Sequence, residues 1–146
     1  MHFETVESWQ AASALLAFEP RVPKDTAGLP LSSLRIHVRD HKLRTVPLTD
    51  RTLEAYYGRF SLSQCRKGEK EARRSALEIS YGQSPRAVRI AGNDARAYPL
   101  GPEVPPDDID GRSPAVVTWA DGDVHYLVAS IEMDVEELMR IASSMY

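Results

Sequence analysis

One cysteine and four histidines are the side chains of this chain best suited to nucleophilic or metal chemistry. Cys65 is followed by Arg66 and Lys67, whose positive charges favour a thiolate, and His125 or His37 could serve as its base. No family signature surrounds the thiol, and no pattern in the sequence brings a histidine to it. His37 and His41 have the i, i+4 spacing of a helical zinc pair. They fall on a strand and a turn, where that spacing separates them by about 13 Å. No glutamate follows His37 to complete a zincin motif. Asp107, Asp108, Asp110 and Gly111 suggest a calcium loop. With Gly111 at position 6 of the EF-hand template, Pro106 stands at position 1 and Val117 at position 12, so both ends of the template fail.

Other chemistries find less support. No serine has a Gly-x-Ser-x-Gly context, and the eight glycines are dispersed with no Gly-x-Gly. The run 66–74 (RKGEKEARR) is basic, but two glutamates dilute it and no aromatic residue is interleaved for base stacking. With a formal net charge of −3 and a pI near 5.8, the composition argues against a nucleic-acid binder. A lone cysteine forms no internal disulfide. No apolar run approaches the ~20 residues that span a bilayer, and residues 1–4 show neither a basic nor an apolar leader pattern. The expectation is therefore a non-enzyme without cofactor or metal. It would be cytoplasmic if Met1 is the native start, and extracytoplasmic if the chain belongs to a membrane-anchored protein.

The elements that would position these side chains follow from hydrophobic period. At 146 residues, with 42% apolar and 27% charged side chains, a single domain spanning 1–146 is expected. Val6, Trp9, Ala12 and Leu16 share a helical face, predicting a helix over 5–18 capped by Thr5 and ended at Glu19-Pro20. Pro20, Pro23, Gly28 and Pro30 punctuate a connector. Leu34 to Arg39 alternates as a half-buried strand, with a turn at 40–42 and a short return strand from Leu43 to Leu48. Residues 53–62 predict one strand, with helix as the alternative. Residues 66–74 read as a solvated loop or helical turn, and Ala76 to Tyr81 as a strand. Ala87–Ala91 and Ala95–Tyr98 read as strands joined at 92–94. Five of the ten prolines fall in 99–114, which predicts a stiff surface loop.

The last quarter is the most specific. Asp121-Gly122 predicts a two-residue hairpin loop of type I′. That register sets Trp119 against Val124, Val117 against Tyr126 and Ala115 against Val128 on an apolar face, with Thr118 against His125 on the other. Asp134 and Glu137 form a capping box, with Met133 and Leu138 as its staple. Val135, Leu138, Ile141, Ala142 and Met145 form an apolar helical stripe. The expected fold is α+β: an antiparallel sheet with the N-terminal and C-terminal helices packed on one face.

Residues 86–146 resemble the C-terminal portion of a bacterial domain of unknown function. That domain often follows the membrane helix of anti-sigma-factor-like proteins and also occurs in lipoproteins related to the lipoprotein-carrier fold. The resemblance rests on Val88-Arg89-Ile90-Ala91-Gly92, Val117-Thr118-Trp119, Asp121-Gly122, Tyr126, Glu136-Glu137-Leu138 and Ile141-Ala142. Phe18, Val22-Pro23 and Leu29-Pro30 follow the same plan more loosely. It implies a regulatory or sensory role, with no catalytic residue to carry across. The leading expectation is a non-enzymatic interaction domain that binds a protein partner or an apolar small ligand. Its surface would be the sheet face left free by the helices, marked in the hairpin by Val116, Thr118, His125 and Leu127. The alternatives are a stand-alone cytoplasmic adaptor or immunity-type protein, and a small thiol enzyme using Cys65.

Overall fold

The computed structural model describes residues 2–38, 47–82 and 84–146. Among these described residues eight antiparallel strands form one sheet: β1 (His2–Val6), β2 (Ser33–Val38), β3 (Thr52–Tyr56), β4 (Ser61–Arg66), β5 (Arg86–Ile90), β6 (Asn93–Tyr98), β7 (Ala115–Asp121) and β8 (Val124–Ser130). Their order is β1-β2-β3-β4-β8-β7-β6-β5. Each half is a four-stranded meander, and the halves meet where β4 pairs with β8. Among the described residues three α-helices accompany them: α1 (Trp9–Ser13), α2 (Glu69–Leu77) and α3 (Val135–Ser143). The α+β expectation therefore holds.

Alternation along the strands divides the sheet into two faces. The inner face carries Leu34, Ile36, Leu53, Leu62, Val117, Trp119 and Val128, all at most 2% exposed. Against it pack Ala12 and Leu16 from the N-terminal segment, and Leu138, Ile141, Ala142 and Met145 from the C-terminal one. The α3 helix begins as its sequence predicts, with the Asp134 carboxylate accepting from the Glu137 amide at 2.9 Å. Met133 and Leu138 are buried beside it.

Four expectations need correction. Residues 2–6 form a strand, and only five residues form α1, whose cap is Ser8 accepting from Ala11 rather than Thr5. The predicted core positions survive this change, because Ala12 and Leu16 are buried and Val6 and Trp9 pack against the core. Residues 53–62 are two strands, not one. They are joined by a turn in which Gly58 adopts φ +81°, and Tyr57 stacks on Phe60 at 4.7 Å. The charged run at 66–74 opens a true helix, α2, so Ala76 and Leu77 are helical and no strand forms at 76–81. The expected turn at 40–42 and most of the return strand after it lie outside the described residues, although Leu48 itself opens a 3-10 turn, Leu48–Asp50.

The fourth correction concerns the C-terminal hairpin. Its loop is Gly122-Asp123, so Asp121 pairs with Val124, Trp119 with Tyr126 and Val117 with Val128. Positive φ occurs at Gly122 (φ 61°) and not at Asp123, which is the pattern of a type II′ turn. The shift equals two residues in the partner strand. Side chains alternate with period two, so the expected inner face is unchanged although every pairing differs. Trp119 and Tyr126 are now directly opposed and stack at 5.2 Å. The β5–β6 hairpin turns at Ala91-Gly92, both with positive φ, one residue earlier than expected.

Candidate functional site

The outer face is divided. Helix α2 lies across its β6–β7–β8 half. It does so through Ala72, Ser75 and Ala76, side chains small enough to let a helix approach a sheet closely. Three of the four residues expected to mark an open binding surface are therefore buried: Val116 at 3%, Thr118 at 0% and His125 at 7% exposed. Leu127 is half-buried. Taking 66–74 as a solvated loop or helical turn and 76–81 as a strand leaves the hairpin's second face without a cover, whereas residues 69–77 form the helix that covers it.

Beneath α2, Cys65 and His125 are cross-strand partners in the β4–β8 pairing. The thiol is buried. The His125 ring is committed elsewhere: its Nε2 lies 2.7 Å from Thr118 Oγ1, and the ring stacks on Tyr81 at 6.3 Å. Burial, and then the nearby Lys67 ammonium, lower the His125 pKa from 6.5 to about 4. Lys67 is itself anchored, donating to Ser75 Oγ of α2 at 3.1 Å. The ring is thus neutral at physiological pH, and both side chains are buried.

Over β1–β3 the outer face is different. Arg35 and Glu54 are direct cross-strand partners, as are Phe3 and His37. The Arg35 guanidinium sits over the rings of Phe3 and Tyr56, 4.4 Å from each centroid. It donates to the Tyr56 hydroxyl and reaches Glu54 at 3.7 Å. Tyr56 in turn donates to Glu54 Oε2 at 2.6 Å. Burial, followed by the Glu54 carboxylate that accepts its hydrogen bond, raises the Tyr56 pKa. His37 stacks on Phe3 at 5.6 Å, and its Nδ1 is 3.9 Å from Glu54 Oε1. Phe3 is 48% exposed, while Arg35, His37, Glu54 and Tyr56 are half-buried. Among the described residues no helix packs on this half of the outer face.

The signal for this cluster was present in part. The alternation of β2 places Arg35 and His37 opposite Leu34 and Ile36, and that of β3 places Glu54 and Tyr56 opposite Leu53 and Ala55. A helix over 5–18 hides the strand that carries Phe3, and a single element over 53–62 hides the register that sets Glu54 against Arg35.

A shallow groove of about 250 Å³ runs between α2 and the β5–β6 turn, lined by Glu69, Arg73, Leu77, Arg89 and Asp94 among others. Both arginines reach Asp94, each at 3.7 Å, so the groove is largely charge-compensated. Among the described residues no group of three or more His, Cys, Asp or Glu side chains is placed to hold a metal ion, and His41 lies outside them. No helix is long and apolar enough to cross a membrane among those residues. Comparison of the chain with family models, with characterised proteins and with solved structures finds no match.

Proposed function

We propose that this chain is a non-enzymatic interaction domain that binds a protein partner across the outer face of β1–β3. The observation that carries the reading is the platform of Phe3, Arg35 and Tyr56. Arginine and tyrosine are enriched among the residues that supply most of the binding energy at protein interfaces, and an aromatic ring buries a large area at little entropic cost. Here the arginine is already held between two rings and bonded to Tyr56, so little rotamer freedom remains to be lost on binding. The platform is broad and polar at its rim, with Glu54 and His37 beside the rings, which suits a protein surface better than an apolar small ligand.

Site-specific photocrosslinking tests the reading. A benzophenone side chain in place of Phe3, in the otherwise intact chain expressed in its native cells, should give one discrete adduct. The same group at Arg89, on the strand at the far end of the sheet, should not. Arg35→Ala should remove the adduct without shifting the thermal midpoint by more than a few degrees. No adduct at position 3, or the same adduct from position 89, would end the proposal.

A further inference from the structure

Ile109 is 98% exposed, far beyond the other exposed large hydrophobic side chains among the described residues, which lie between 37% and 61%. It sits at the tip of loop 99–114, between β6 and β7. This loop is shaped rather than slack. Its base is closed by the Gly101 amide donating to Ser113 O at 2.9 Å and by Arg112 Nε donating to Gly101 O at 2.6 Å. At the tip, Asp108 N donates to Pro105 O, Asp108 Oδ1 accepts from the Asp110 amide, and Asp108 O accepts from Gly111, which turns at φ +69°. Five prolines stiffen the segment.

The charge of the molecule is concentrated in the same place. Glu103, Asp107, Asp108 and Asp110 are countered only by Arg112 within the loop, a net charge of −3 that equals the formal charge of the whole chain. The rest of the sequence carries acids and bases in equal number, seventeen of each. An isoleucine lifted wholly into water gains nothing for the fold, since hydrophobic stabilisation comes from burial. A stiff loop that presents it between Asp107, Asp108 and Asp110 of the same turn has the form of a preorganised anchor.

We propose that loop 99–114 is a docking arm that seats Ile109 in an apolar socket ringed by lysine and arginine on a protein partner. Charge complementarity selects that occupant. The three aspartates around the tip would steer a basic surface to it and repel an acidic one, and the isoleucine would supply the contact. This surface is separate from the β1–β3 platform and acts independently of it.

The test places a benzophenone side chain at position 109 of the full chain, with a second variant carrying it at Ile131 (61% exposed) as an apolar control. A discrete adduct is expected from position 109 and none from 131. Peptide mapping should locate the adduct in a Lys/Arg-rich segment of another protein. Adding Asp107→Asn, Asp108→Asn and Asp110→Asn together should reduce the yield at least about fivefold, as should raising salt to about 0.5 M. Asparagine at 108 retains the oxygen that accepts from Asp110, so the tip keeps its shape, and an unchanged thermal midpoint checks this. Four results would each overturn the inference: no adduct at 109, equal adducts at 109 and 131, a yield indifferent to the three substitutions, or an adduct joining two copies of this chain. Loss of the position 3 adduct with retention of this one would remove the β1–β3 reading alone.

Discussion

Replacing His125 with glutamine should flatten the acid limb of the stability curve. The native ring is neutral because burial, with Lys67 beside it, lowers its pKa from 6.5 to about 4. In the unfolded chain it regains the ordinary value near 6.5. The unfolded state therefore binds the proton more readily, and stability is lost as pH falls. The contribution is complete above about pH 7 and exhausted near pH 4. One pKa unit corresponds to about 1.4 kcal/mol, so the full loss is roughly 3 kcal/mol, of which about 2 kcal/mol falls between pH 7 and pH 5. Glutamine does not titrate, and its amide can still hydrogen-bond the Thr118 hydroxyl. In the native protein that hydroxyl oxygen lies 2.7 Å from His125 Nε2. Urea unfolding of both proteins at pH 7, 6 and 5 would measure the effect. The gap between them should narrow by about 2 kcal/mol across that range, or reverse if the variant begins close to wild type. Parallel loss of stability in the two proteins would refute the argument. So would a histidine resonance for residue 125 titrating near 6.5 in the folded state.

Two substitutions elsewhere test the backbone and the connector. Ala91 adopts a positive φ of 49° at the first central position of the β5–β6 turn. A Cβ is strained there, so Ala91→Asn should stabilise the protein by about 1 kcal/mol and raise the thermal midpoint by about 3 °C. An unchanged or lower midpoint would show that the turn is not strained there. Gln64 is fully buried on the inner face and forms two bonds to the Arg21 backbone, its Oε1 accepting from Arg21 N and its Nε2 donating to Arg21 O, both at 2.8 Å. Gln64→Leu leaves both groups unpaired and should cost about 2–4 kcal/mol by urea denaturation. A cost under about 1 kcal/mol would mean that water replaces the side chain.

The elements most legible in the sequence were those whose signals are local. The Asp134 cap, the α3 stripe and the inner face of the last hairpin all depend on spacing within about ten residues. Period-two alternation preserved the hairpin's faces even where its register was wrong, since Trp119 remains inside whether Val124 or Tyr126 opposes it. Long-range arrangement was not legible. Nothing local shows that Ala72, Ser75 and Ala76, in a run dominated by charge, would bury themselves on Val116 and Thr118. Nor does local pattern show that Phe3 would be drawn into a strand by β2, about thirty residues away. Both failures fell on the candidate site, because the open surface is defined by where α2 does not reach and by which strands assemble beside β2.

The pairing of β4 with β8 also sets the order in which this chain can be completed. Each meander is made of neighbours in sequence and can begin to assemble as it leaves the ribosome. The β4 strand ends at Arg66, but its second partner does not begin until Val124, nearly sixty residues later. At ordinary translation rates, β4 must wait roughly 3–12 s with its backbone edge unpaired. Leu62 and Phe60, destined for the core, are without the C-terminal half of their packing for the same interval. Joining two meanders at one late seam thus makes synthesis, rather than the finished fold, the stage at which this molecule is most open to mispairing.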